Sequence, residues 1–372
     1  MAFAAGLALQ PGLAGAQTDQ QDFDRFSEGC RTGDAYSCSR LGAMFEFGRG
    51  VAQDVEQAAG LYILGCTSGD PTGCTDYGFL AEFGNGVAQD YSVALQYYGQ
   101  GCDGGDALGC NNLGSLYDNG RGTDVDVDRA VALFREACDG GSSRGCSNLG
   151  LMYRDGRGVG QDNAQATAFY QRGCDGGDGQ GCTDLGFAYE TGAGVPADVK
   201  RATDFYRSGC EAGNALGCTN LGYMYYTGTG VPQNDAEAVA HYQLGCDGGE
   251  ARGCNNLGIM YYEGRGVAQN DATAADLFGG ACDRGYALGC SNLGLSYSFG
   301  RGVAQDDIRA VALFQQGCDG GDMQGCHSLG YNFENGLGVK ADRNRAIALY
   351  RQSCAEGYQD GCADLSRLGV QP

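Results

Sequence analysis

Residues 102–110 read CDGGDALGC, two cysteines with seven residues between them. The same spacing joins Cys30 to Cys38, Cys66 to Cys74, Cys138 to Cys146, Cys174 to Cys182 and Cys210 to Cys218. It returns from Cys246 to Cys254, Cys282 to Cys290, Cys318 to Cys326 and Cys354 to Cys362, so all 20 cysteines fall into ten pairs. Successive pairs lie 36 residues apart. A fixed period of this length marks a solenoid, in which each supersecondary unit buries its apolar face only by stacking on the next. A chain of 372 residues would otherwise be expected to divide into two or three globular domains. The period replaces that expectation with a continuous core.

Counting position 1 at Asp34 and every 36 residues after it, positions 5, 8, 9 and 12 read Cys, Leu, Gly and Tyr, as in Cys110, Leu113, Gly114 and Tyr117. The spacing i, i+3, i+4, i+7 is one face of an α-helix. This helix A ends at the glycines of positions 15 and 17, such as Gly120 and Gly122, which suit a left-handed C-terminal cap. Asp or Asn at position 21 (Asp54, Asp162, Asn270) can cap the next helix. Helix B follows, with Ala130, Leu133, Phe134, Ala137 and Cys138 on one face, and stops at the glycine of position 36, such as Gly141. Alanine at position 25 lets the two helices approach closely, and positions 8, 12 and 29 fill the space between neighbours. No segment reads as a strand.

The composition narrows the function. A formal net charge of −22, with Lys200 and Lys340 the only lysines, argues against nucleic acid and anionic membranes, which are bound through positive surfaces. Beyond the N-terminus no apolar run approaches the 18 residues of a membrane span. Paired cysteines in this number belong to an oxidising compartment unless they hold metal. Metal is not expected, because the spacing is not C-x2-C and the chain has only His241 and His327 to complete a site. Residues 1–16, MAFAAGLALQPGLAGA, are small and apolar, and Ala14-Gly15-Ala16 before Gln17 matches a cleavage site. The expected layout is a signal segment at 1–16, a half repeat at 17–33, nine repeats at 34–357 and a closing half repeat at 358–372.

The pattern L-G-x-x-Y…G-x-G-V…D…A-x-x-x-Y, clear in NLGIMYYEGRGVAQNDATAADLF (256–278), resembles the Sel-1-like repeat, a relative of the tetratricopeptide repeat. The resemblance covers residues 34–368. The added cysteine pair is similar to that of the Helicobacter cysteine-rich secreted proteins. It implies an all-α, right-handed αα-hairpin solenoid, a tetratricopeptide-like superhelix with one disulfide per repeat. Each bridge would join the last turn of helix B to the first turns of the next helix A. Closing so short a loop removes roughly 2.5 kcal/mol of unfolded-state freedom. For some members the resemblance also implies penicillin-binding or weak β-lactamase activity.

The residues supply no mechanism for such an activity. Serine enzymes of that kind need S-x-x-K, and the residues three before Lys200 and Lys340 are Ala197 and Leu337. Gly141-Ser142-Ser143-Arg144-Gly145 matches G-x-S-x-G but stands in for an ordinary inter-repeat loop. Gly99, Gly101 and Gly104 match a dinucleotide fingerprint at a helix end, where no strand precedes them. Asp124, Asp126 and Asp128 lack the glycine and bidentate glutamate of a calcium loop. His241 reads as a packed or edge-exposed ring, and His327 stands at a polar position beside Cys326, where haem ligation would lack its C-x-x-C-H motif. No catalytic residue, metal ligand or cofactor is expected, and a thiol oxidoreductase would need C-x-x-C.

A binding surface is legible on helix A. Position 7 gives a ladder of amides, Asn112, Asn148, Asn220, Asn256 and Asn292, and position 10 adds Tyr223, Ile259 and Leu295. Position 13 carries acids in most repeats but Tyr226 and Tyr262 in the middle. By similarity to tetratricopeptide repeats this stripe lines a concave groove. An extended peptide needs partners for its backbone and pockets for its side chains, and this combination offers both. The alternative is that the amides satisfy neighbouring loops and helix ends. The stripe has no lysine for a carboxylate clamp at a C-terminus. The expected function is an exported scaffold, periplasmic or secreted, binding a peptide or protein partner.

Overall fold

The computed structural model describes residues 11–371. Of the expected signal segment, residues 1–10 lie outside the described residues, and 11–16 belong to an opening helix, Pro11–Arg31. Among the described residues every regular element is a helix. The chain forms two compact bodies. One runs to Gly181 and includes Ala193–Val195; the other comprises Cys182–Gly192 and everything from Pro196 onward.

Both bodies are built from the same hairpin. In the third repeat helix A is Ala107–Asn119 and helix B is Val127–Asp139, each of 13 residues. Position 21 caps helix B: Asp90, Asp126 and Asn270 accept hydrogen bonds from backbone N–H groups of the first turn. Helix A has its own cap at position 1, where Asp106 accepts from the Leu108 N–H and Asn214 from the Gly217 N–H. Position 15 closes helix A in the left-handed region, with φ 64° at Gly120 and 74° at Gly228.

The interior repeats as regularly as the backbone. The alanines at position 25 and the aromatic rings at position 29 are buried throughout, with Ala94, Tyr98, Ala202 and Tyr206 at 0% exposure. Glycine at position 9 makes this packing possible. A Cβ on Gly78 would lie 2.8 Å from the Tyr98 ring, and one on Gly222 2.7 Å from Tyr242. The ring therefore rests on bare helix backbone, and any side chain there would displace it.

The cysteine pairs are bonded as the spacing and the resemblance imply. Cys30 is joined to Cys38, Cys66 to Cys74, Cys102 to Cys110, Cys138 to Cys146 and Cys210 to Cys218. Cys246 is joined to Cys254, Cys282 to Cys290, Cys318 to Cys326 and Cys354 to Cys362. The Cα–Cα separations of these bridges run from 4.4 to 4.7 Å. Cys174 and Cys182 are disulfide-bonded as well, and no described cysteine is free. The bridges that start at Cys66, Cys102, Cys138, Cys210, Cys246, Cys282, Cys318 and Cys354 each tie the end of a helix B to the start of the following helix A, and the bridge at Cys30 ties the opening helix to the first helix A. The disulfides suggest an oxidising, exported compartment. No described helix is long and apolar enough to cross a membrane.

Candidate binding stripe

Position 13 of helix A is the meeting point of three elements. The tyrosine at position 29 of the same repeat reaches it from helix B. Tyr62 donates to Glu46 (2.5 Å), Tyr98 to Glu82 (2.8 Å), Tyr206 to Glu190 (2.5 Å) and Tyr350 to Glu334 (2.8 Å). Burial first, and then the bonded carboxylate, drive each of these phenols above its ordinary pKa. An arginine from position 16 of the next repeat covers the same place: Arg121 lies 3.5 Å from Glu82 and Arg157 2.6 Å from Asp118. The acids of position 13 are thus occupied by the fold itself.

Repeat six is built differently. Its helix A, Ala215–Thr227, carries Tyr226 at position 13, while its helix B, Asp235–Asp247, still carries a buried tyrosine, Tyr242. Arg265 of repeat seven lies over the Tyr226 ring at 4.2 Å and is held there by Asp235, at 2.8 and 3.1 Å. Arg301 repeats the arrangement over Tyr262, at 3.6 Å, with Asp271. The guanidinium groups keep Asp235 and Asp271 below the usual carboxylate range.

Between helix A of repeat six and helix A of repeat seven, Ala251–Glu263, lies a cavity of about 130 Å³. Tyr223, Tyr226, Tyr242, Asn256, Ile259 and Met260 line it. Four of these are stripe residues singled out from the sequence. Tyr223 is 49% exposed at the rim, whereas Tyr242 is 2% exposed. Burial raises the pKa of the Tyr242 phenol. Tyr262, Asn220, Asn292 and Leu295 are not part of this lining.

The amide ladder is engaged between repeats. Asn148 donates to the buried Asn111 (2.8 Å), which donates to Asn112 (3.1 Å). Asn292, Asn255 and Asn256 form the same chain, at 2.8 and 3.4 Å. Asn220 accepts from Arg252 at 2.5 Å. Asn111 and Asn255, at position 6, were not legible as part of this network. Nor were Tyr242 and Met260 as cavity walls, because their spacing assigns them to the core. The usable signal was the glutamate 16 residues before a position-29 tyrosine, present in four repeats and replaced by Tyr226 in the sixth.

The remaining candidates sit in ordinary places. Ser142 caps the helix that begins at Ser143, accepting from the Gly145 N–H at 3.1 Å. Asp126 caps helix B of the third repeat and accepts from the Arg129 N–H at 3.0 Å. Gly99 and Gly101 lie inside the helix Tyr91–Asp103. His241 stacks on Tyr225, with ring centroids 5.4 Å apart. His327 pairs with Asp364 at 2.8 Å, beside the rings of Tyr350 and Tyr358. Cys102, Cys110 and Glu136 come together as potential metal donors, but the two sulfurs are bonded to each other.

The Sel1 repeat family model matches residues 35–70, 71–106, 107–142, 143–178, 179–214, 215–250, 251–286, 287–322 and 324–358. Among solved structures, a protective antigen present in uropathogenic Escherichia coli strains is similar over 94% of this chain and 84% of its own. It is 24% identical, with a TM-score of 0.61. A Sel1 repeat protein from Oxalobacter formigenes is similar over 99% of this chain and 97% of its own, at 21% identity and a TM-score of 0.57. Helicobacter pylori cysteine rich protein B aligns with 36% of this chain and 96% of its own, at 27% identity and a TM-score of 0.30. No curated protein matches the chain. At 24% and 21% identity the likeness to the first two speaks for the fold alone.

Proposed function

Because this chain belongs to the Sel1 repeat family, a family of protein-interaction scaffolds, we propose that it is an exported, disulfide-stapled scaffold that binds an extended peptide or protein segment on its helix A stripe. In this reading residues 34–357 are the repeats, and the half repeats at 17–33 and 358–372 cover apolar ends. Phe26 and Leu365, both buried, serve that purpose. The observation that carries the reading is the cavity at Tyr223, Tyr226, Asn256 and Ile259, where an exposed aromatic rim opens over a polar floor. Aromatic side chains around a small pocket are where binding energy concentrates.

The test compares capture from the extracellular or periplasmic fraction by the wild type and by Tyr223→Ala with Ile259→Ala. Each change should cost about 1–3 kcal/mol of binding if these residues are hot spots, with melting unchanged. Reduced melting with capture unaffected would make them packing between repeats and remove the proposed surface.

A further inference from the structure

Six repeats carry tyrosine at position 29: Tyr62, Tyr98, Tyr170, Tyr206, Tyr242 and Tyr350. Four of them donate to a glutamate of their own helix A, 16 residues earlier. The three repeats with Phe134, Phe278 or Phe314 have no glutamate there; they have Asp118, Tyr262 and Ser298. Phenol and glutamate are therefore matched parts. Of the two exceptions, Tyr170 is preceded by Arg154 and Tyr242 by Tyr226. Only the second opens onto the cavity described above.

The cavity's polar equipment is that of a carboxylate site lacking its carboxylate. Tyr242 and the Asn256 amide both line it, so a phenol and an amide border the same space. In repeat two the phenolic proton goes on to Glu82; in repeat six the chain places Tyr226 where that acceptor would be. Arg252, one helical turn before Asn256, is bonded to Asn220, one turn before Tyr223. No acid lines the cavity, although acids outnumber bases 46 to 24 in the chain. Ile259, Met260 and the tyrosine rings form apolar walls suited to a methylene stem. An apolar cavity of ~150 Å³ accepts benzene, so about 130 Å³ accommodates one medium-sized side chain.

We propose that this cavity takes the side chain of a glutamate from the partner segment, which supplies in trans the carboxylate that Glu82 supplies internally in repeat two. The proposal rests on the peptide-binding reading above and names its anchor. The donors are a phenol, an amide and a nearby guanidinium, so no lysine is required. The chain's net charge of −22 repels acidic segments as a whole. The partner is therefore an isolated glutamate in a neutral or basic stretch.

The test uses full-length protein with 13C-labelled methionine methyl groups, of which there are 6, with Met260 assigned through Met260→Leu. The probes are the blocked peptide Ac-Lys-Ala-Glu-Ala-Lys-NH2 and its Glu→Gln counterpart. The Met260 signal should shift saturably with the glutamate peptide and at least tenfold more weakly with the glutamine peptide. Tyr242→Phe should abolish that discrimination while folding normally, since phenylalanine fills the same place in three other repeats. Tyr226→Glu should abolish binding by closing the site from within. Equal response to both peptides, no response to the glutamate peptide at millimolar concentration, or full binding by Tyr226→Glu would each overturn the proposal. Equal response to both peptides, combined with capture lost in Tyr223→Ala, would refute the glutamate and leave the binding stripe standing. Capture indifferent to Tyr223→Ala would remove both.

Discussion

Repeats two and six contain the same hairpin and differ in what reaches its buried tyrosine. Tyr98 and Tyr242 are both inaccessible, each lies against a glycine that could not carry a Cβ, and in both cases position 7 of the following repeat is an asparagine, Asn112 or Asn256. In repeat two Glu82 completes the set. In repeat six Tyr226 stands at that position, turns its ring to Arg265, and a cavity opens beside it. A second exchange accompanies the first. Position 7 is Asp76 in repeat two and Asn220 in repeat six. The parts that build the solenoid are thus held constant, while the variation falls at places where side chains of successive repeats meet.

The largest expected effect comes from Asp76. Burial, and then the charges of Glu46, Asp106 and Asp70, push its carboxyl up to about 7, against a weaker opposing effect of Arg40. The native state then holds a proton that the unfolded chain releases near its ordinary carboxylate range. Stability from this group is fully present below about pH 4 and is lost as the pH rises through 7. Asp76→Asn, which restores the residue common elsewhere in the ladder, should raise stability at pH 8 by up to about 4 kcal/mol. It should leave stability at pH 4 nearly unchanged. Denaturant titrations at the two pH values check this.

The staples should not distinguish the two regions. Removing the bridge between Cys102 and Cys110, or that between Cys246 and Cys254, as a double serine variant should cost about 2.5 kcal/mol each, since the closed loops are equal in length. Thermal or denaturant unfolding measures it. Very unequal costs would show that the two hairpins are not energetically equivalent, and that repeat two is a poor reference for repeat six.

The fold was legible because its determinants are local and recur. A cysteine pair every 36 residues, the glycine at position 15 that closes helix A and the Asp or Asn that caps helix B can each be read without knowing what lies across the core. The site was legible only in part. Tyr223, Tyr226, Asn256 and Ile259 share a helix face and could be grouped by spacing. Tyr242 could not, because position 29 reads as core and its hydroxyl is visible only once its partner is known. The amides read equally well as groove or as neighbour contacts, and the Asn292–Asn255–Asn256 chain crosses repeats in a way spacing alone does not specify. The stacking of Arg265 on Tyr226 spans 39 positions and carries no local signature.

One coupling is central to the difference between the repeats, that between the phenol at position 29 and whatever stands at position 13. A double-mutant cycle in repeat six measures it, using Tyr226→Glu, Tyr242→Phe and the pair, each followed by denaturant unfolding. If repeat six lacks only the carboxylate that repeat two contains, the glutamate introduced by Tyr226→Glu and the native Tyr242 should stabilise each other. The expected coupling is about 1.5–3 kcal/mol, the range for a hydrogen bond to a charged group. A coupling near zero, with Tyr226→Glu equally costly whether Tyr242 or phenylalanine lies beneath it, would contradict the missing-carboxylate account.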